Sequence, residues 1–225
     1  MNKEKIKSSI QDFENLIRMN QKQTELLAKL LAVCFIDDPL TRLQTKNINN
    51  QEDFLTKLFR EQLGVYSKTR DVYLLDETCK SLIIGYERKN LKMSREIQLS
   101  IQASSRLKKQ IDKSVFKVYA NNLKNATKVI DLNWYKPFNI KDFYHINIIA
   151  IDKTDRGKGK FRALLTPIVN YCERNNLPII LETANPNNVP LFEHYGFKLV
   201  KTTENNQLGI NQYNFVKDPG PVNRF

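Results

Sequence analysis

A mixed fold of helices packed on a β-sheet, α+β or α/β, is predicted for this chain of 225 residues by three observations. Short β-branched apolar runs alternate with windows whose apolar residues recur every three to four positions. The last third reads strand, helix, strand, helix, strand, and a hairpin pattern precedes it. No internal repeat and no Pro/Gly/Ser-rich linker breaks the chain, so a single domain over 1–225 is expected.

Hydrophobic residues make up 41% and charged residues 27%, enough for a sizeable core and too apolar for wholesale disorder. The formal charge of +12 favours anionic partners such as nucleotides, nucleic acid or acidic surfaces. Cys34, Cys79 and Cys172 form no CxxC pair, and the histidines are His145 and His194 alone. A disulfide scaffold and a metal site are therefore not expected. The polar N-terminus lacks the apolar core of a secretory signal, and no window is apolar enough to span a bilayer. The expectation is a cytoplasmic, reduced protein without membrane association.

The elements follow in order. Residues 14–18 suit a short strand. Leu26, Leu27, Leu30, Leu31 and Cys34 mark a helix over 21–35, which Asp37-Asp38-Pro39 stops because proline denies its predecessor the α conformation. Phe54, Leu55, Leu58 and Phe59 mark a second helix over 52–63. Residues 71–75 and 81–86 read as a hairpin about the turn 76–78. Residues 88–128 are helical and strongly basic, with Glu96 and Asp112 as their only acids. Leu107, Ile111, Val115, Tyr119 and Leu123 recur every four residues, so one face is expected to pack while lysines coat the other. A nucleic-acid face is the alternative, although no aromatic residues interleave these lysines as in single-strand binders.

Residues 145–151 are a β-branched run suited to a central strand. A charged turn over 152–160 leads into a helix marked by Phe161, Leu164, Leu165, Ile168, Val169 and Cys172, with Pro167 inside it as a kink. A strand over 178–183, a short helix over 189–195 ended by Gly196, and strands over 197–203 and 211–217 complete the chain.

Arg156-Gly157-Lys158-Gly159-Lys160-Phe161 carries the chemistry, because it lies between a strand and an amphipathic helix in a chain with only 7 glycines. Such a turn aims successive backbone N–H groups at one point, and the helix start adds its orphan donors and its dipole. A phosphate or pyrophosphate fits there. The pattern is neither a Walker loop nor a dinucleotide fingerprint.

These residues resemble the GCN5-related N-acetyltransferases through 144–217, and more loosely through 17–40. Residues 156–159 match the family's pyrophosphate turn, though Phe161 stands where members carry Gly or Ala. The stretch 181–197, from Leu181-Glu182-Thr183 to Tyr195-Gly196-Phe197, is the second match, and looks most like the puromycin N-acetyltransferase branch. The resemblance implies a mixed central sheet flanked by helices, with the basic helices inserted between the hairpin and the central strand. It implies an acetyl-CoA-binding half over 144–217 and a variable acceptor-side half over 14–140. Ile149, Ala150 and Ile151 would pair with the pantetheine arm, the amides of Gly157, Lys158, Gly159, Lys160 and Phe161, helped by Arg156, would hold the pyrophosphate, and Asn185 and Asn188 would approach the pantetheine or thiol. The reaction would be direct transfer of acetyl from acetyl-CoA to a primary amine of a small molecule or peptide, by a monomer or homodimer.

The acid and base stay open at this level. Family members commonly carry a tyrosine acid four residues before the glycine; here that residue is Phe192. Tyr195 is a partial substitute on another helix face, and installing tyrosine at 192 is expected to speed transfer. Glu182 is the first candidate base, against a strand-end cap. His145 is read as a base or as a satisfied structural histidine. Asp37 and Asp38 would line the amine pocket or merely end a helix. Two further readings stand beside the enzyme: a non-catalytic CoA-binding protein, and a nucleic-acid-associated acetyltransferase.

Overall fold

The computed structural model describes residues 13–220. Seven strands form one sheet in the order β1-β2-β3-β4-β5-β7-β6. The strands are β1 (Ile17–Arg18), β2 (Asp71–Leu74), β3 (Ser81–Glu87), β4 (Tyr144–Ile151), β5 (Ile179–Thr183), β6 (Lys198–Asn205) and β7 (Ile210–Lys217). All neighbours are antiparallel except β4 and β5. Helices cover both faces: α1 (Thr24–Phe35), α2 (Pro39–Gln44), α3 (Gln51–Thr69), α4 (Met93–Gln110), α5 (Lys113–Ala126), α6 (Lys160–Arg174) and α7 (Val189–His194). The mixed α+β architecture expected from the sequence is thus the one observed. Among the described residues, no helix is long and apolar enough to cross a membrane.

Each face of the sheet buries its own core. Leu27 and Leu31 of α1 and Leu55 and Leu63 of α3 pack with Val72, Leu74, Leu82 and Ile84. On the opposite face Leu164, Leu165 and Ile168 of α6 pack with Tyr73, Ile83, Ile146, Ile179 and Leu181. A smaller cluster joins Trp134, Phe143, Ile180 and Val216. Period-two alternation along the strands sends successive side chains to opposite cores.

Several boundaries differ from the sequence reading, each for a local reason. The second long helix runs to Thr69, because Leu63 and Val65 continue its buried stripe past Gly64. Asp38 does more than stop a helix: its carboxylate accepts the Leu40 and Thr41 N–H groups and starts α2. The basic segment is two helices, broken at Ile111, which is extended. Leu107, Ile111, Val115 and Tyr119 of the expected stripe do pack, but a four-residue step drifts about 40° round a helix, and Leu123, the last of the stripe in α5, is exposed. The pair docks through the packed residues of the stripe, through Arg106 on Glu61, and through Asn122 on the Gln44 and Lys46 carbonyls.

A β-bulge separates Ile84 and Gly85 in the β3–β4 ladder: Ile84 pairs with Ile148 and Gly85 with Ile146, leaving Asn147 without a β3 partner. Gly85 is required there. A Cβ on it would lie 2.5 Å from the Tyr144 ring and 2.7 Å from the His145 carbonyl oxygen.

Candidate active site

The parallel pair β4–β5 is short. Tyr144, His145 and Ile146 pair with Ile179, Ile180 and Leu181, and the ladder ends there. β4 continues to Ile151 held by β3 alone, while β5 follows β7. The two strands part into a V whose β4 edge, residues 147–151, has no strand beside it. Among the described residues, no strand covers that side of Ile149, Ala150 and Ile151, although the Ile151 carbonyl accepts from the Cys34 thiol.

Beyond Ile151 the chain turns into α6. Asp152 closes the first part of the turn by accepting the Thr154 N–H. Gly157 and Gly159 both have φ of 75°, the left-handed region that favours glycine. Gly159 is the N-cap of α6 and supplies no side chain to its first turn, so the helix presents bare N–H donors. The cations around it are partly anchored: Lys158 pairs with Asp155 at 3.0 Å, and Lys160 with Asp76 of the hairpin turn at 3.2 Å. Arg156 folds back toward the Ile151 carbonyl, beside the Cys34 thiol. Burial pushes that thiol's pKa up, so it stays protonated. The Phe161 ring packs on Tyr195 with centroids 4.7 Å apart.

On the face away from α6, polar side chains run across the sheet at the closed end of the V. Glu182 Oε2 lies 2.7 Å from His145 Nε2, and its Oε1 accepts the Trp134 indole N–H. His145 Nδ1 lies 3.0 Å from the Tyr86 hydroxyl and 3.5 Å from Asn147 Nδ2. Asn147 Oδ1 accepts from Arg70, whose guanidinium also makes two bonds to Glu96 of α4 and lies over the rings of Tyr66 and Tyr86. Burial works against the charge of Arg70, and Glu96 outweighs it, leaving the pKa raised. Burial also pushes the Tyr86 phenol up to about 12, so it stays neutral. The Glu182 side chain keeps 23% exposure while taking part in this network.

The candidate residues named from the sequence fall on two sides of the sheet. Glu182 and His145 meet; Tyr195 lies on the opposite face, against Phe161 and His194. Phe192 is buried against Phe215, Phe197 and Phe161, with the Phe215 ring 5.4 Å away. A hydroxyl added there enters an aromatic core rather than an accessible surface, which corrects the premise behind a rate gain from tyrosine at 192. Asn185 and Asn188 lie just past the open end of β5. Asn185 accepts the Asn187 N–H, and Asn188 donates to Thr183 Oγ1. Asp38 is spent as a helix cap, and its burial raises its pKa. Sequence reasoning missed Trp134, Tyr86, Asn147, Arg70 and Glu96. The available signal was the off-beat pair His145 and Asn147 inside an otherwise apolar strand.

No family model matches the chain. A stretch of 54 residues is 37% identical to an uncharacterized N-acetyltransferase, C550.08, of Schizosaccharomyces pombe. That match takes 24% of this chain and spans 22% of the yeast protein. Among solved structures, the chain is similar to a protein described as histone acetyltransferase HPA2 and related acetyltransferase from Corynebacterium glutamicum, with a TM-score of 0.62 and 14% identity over 91% of this chain and 95% of that one. It is also similar to an N-acetyltransferase of Staphylococcus aureus Mu50, with a TM-score of 0.56 and 15% identity over 89% and 98% of the two chains. The chain shares the fold of these acetyltransferase structures.

Proposed function

We propose that the protein is an acetyl-CoA-dependent N-acetyltransferase acting on a primary amine of a small molecule or peptide. The V between β4 and β5 carries this reading, because it links an uncapped, glycine-led helix start on one side to the Glu182–His145 pair on the other. The donor chemistry fits a CoA ester. The amides of 157–161 suit a pyrophosphate, and the free edge at Ile149, Ala150 and Ile151 suits a pantetheine amide chain, with Asn185 and Asn188 beside its thiol end. The likeness of residues 181–197 to the puromycin N-acetyltransferase branch belongs to the same reading, as does a cytoplasmic setting.

The chemistry divides between the two faces. The acceptor amine attacks the thioester carbonyl, a C–N bond forms, the C–S bond breaks, and CoA leaves as thiolate. An ordinary thiol has a pKa near 8.5, so the thiolate is a tolerable leaving group without a dedicated acid. Tyr195 is the candidate acid within the described residues of α7 and its end, from the α6 face. The ammonium proton goes to the Glu182–His145 pair on the other face. Holding both substrates in the V supplies proximity, and the backbone N–H groups of β4 supply donors for the carbonyl oxygen.

The reading is tested by calorimetric titration with acetyl-CoA. Binding is expected, and Gly159→Val is expected to weaken it about tenfold or more. A β-branched residue in the left-handed region is strained, and the strain of roughly 1–2 kcal/mol falls on the turn that holds the pyrophosphate. The Cβ itself meets open space, so the loss is conformational rather than a clash with the protein. Wild-type protein that binds no acetyl-CoA would refute the proposal.

A further inference from the structure

Asn147 is the bulge residue of β4, and its amide is read from both ends. Arg70 carries donors only, so the Asn147 atom that faces it is the carbonyl Oδ1. The NH2 group therefore faces the other way, 3.5 Å from His145 Nδ1. An amide NH2 offers hydrogens and no lone pair, so in neutral His145 the bare nitrogen is Nδ1 and the proton sits on Nε2. The Tyr86 hydroxyl at 3.0 Å rotates to donate or accept and imposes no choice of its own. With the proton on Nε2, His145 donates to Glu182 Oε2.

We propose that Arg70 is a positioning residue: by orienting the Asn147 amide it places the His145 proton on Nε2, and so leaves Glu182, not His145, to take the proton of the acceptor amine. The part played by Glu182 rests on the function proposed above, whereas the placement of the proton does not. His145 has no lone pair left toward the V, since Nε2 is protonated and Nδ1 already faces Tyr86 and Asn147. Glu182 receives the indole N–H on one oxygen and the imidazole N–H on the other, and each carboxylate oxygen keeps a further lone pair. Arg70 is itself held in place by the two bonds it donates to Glu96 and by two aromatic rings. Glu96 comes from α4, so the inserted basic helix supports the site through this one ion pair.

An anionic Glu182 favours the same tautomer, so the test removes it. Glu182→Ala leaves solvent at Nε2, and only the Asn147 amide still discriminates. Long-range proton–nitrogen NMR of His145 at about pH 8.5, where an ordinary imidazole is neutral, reads the tautomer directly. The Nε2–H form alone is expected in Glu182→Ala, and a mixture with the Nδ1–H form in Glu182→Ala/Arg70→Met. A mixture already present in Glu182→Ala overturns the proposal, as does a pure Nε2–H form that survives loss of Arg70. Arg70→Met strands Glu96, so Asn147→Leu in the same background serves if that variant does not fold, with the same two outcomes. Once an acceptor is in hand, Glu182→Gln is expected to lose about 10²–10⁴-fold, and more than His145→Gln, whose amide still donates to Glu182. The reverse order overturns the assignment of the proton to Glu182. Wild-type protein that transfers to no amine sinks the functional reading instead, and the NMR result stands apart from it.

Discussion

The two faces of β4 differ in what they ask of their side chains. Toward α6 the strand presents Tyr144, Ile146, Ile149 and Ile151, which pack with Ile179, Leu181 and Phe215. Polar groups on that face are closed off in pairs, Tyr144 on Asp71 and Tyr171 on Glu87. Toward α3 and α4 the same strand presents Ile148 and Ala150 to the other core, but also His145 and Asn147, which bond to Tyr86, Glu182 and Arg70. The α6 face is finished by packing. The other adds to its packed part a connected polar run that ends at a half-buried carboxylate beside the V. In a low-dielectric setting a polar run persists only if its members are satisfied, and the bonds linking these side chains do that.

The largest way to break this contrast is at Glu182. Glu182→Gln keeps the shape and removes the negative charge, and acetyl transfer is expected to fall about 10²–10⁴-fold with acetyl-CoA affinity unchanged, read from steady-state rates and calorimetry. A proportional loss of affinity would place Glu182 in cofactor binding.

Gly85 sharpens the contrast at the bulge that turns Asn147 toward His145. Gly85→Ala brings a Cβ within 2.5 Å of the Tyr144 ring and 2.7 Å of the His145 carbonyl, so the ladder must shift. A loss of about 1–3 kcal/mol in urea unfolding is expected, with a rate loss beyond what unfolding explains. Unchanged stability would mean that the strands separate there at little cost.

Phe192 belongs to the packed face and serves as the opposite test. Phe192→Tyr adds a hydroxyl to a ring that is 8% exposed and surrounded by aromatic rings. A cost of about 1–3 kcal/mol and no rate gain are expected from denaturant melts and turnover. A faster enzyme of unchanged stability would show that position 192 looks into the V.

The smallest effect is expected at the basic helices. Lys108, Lys109 and Lys113 are exposed, and Lys108 lies over the Phe116 ring. Reversing all three to Glu is expected to leave acetyl-CoA affinity within about twofold, because solvent and salt screen exposed charges. Salt-sensitive retention of RNA by the wild-type protein, lost on reversal, would give these helices a partner of their own.

Much of this arrangement was legible beforehand. The apolar periods of 26–34 and 161–172 and the β-branched run 145–151 are local signals, and the elements they mark were found. Gly157 and Gly159 announced the turn because a left-handed backbone leaves few other residues possible. The polar run was hidden because its members lie up to 112 positions apart, from Arg70 to Glu182. No spacing rule links a helix-ending arginine, an acid within a basic helix and a strand-end glutamate. Strand pairing brings them together, and the bulge at Asn147, which sets their phase, rests on a glycine whose need is steric rather than conformational. Leu123 misled because a regular four-residue spacing drifts off the buried face of a helix by about 40° per step.

The central claim is that one V-shaped gap joins an acetyl-CoA cradle to a proton-accepting carboxylate on the opposite face. It is tested most directly by incubating the protein with acetyl-CoA and a panel of primary amines, from polyamines and arylalkylamines to peptide N-termini, and following release of free CoA thiol. The account predicts thiol release that needs both acetyl-CoA and a particular amine and that collapses in Glu182→Gln. Acetyl-CoA bound tightly, with no amine raising thiol release above the level seen without acceptor, would contradict it.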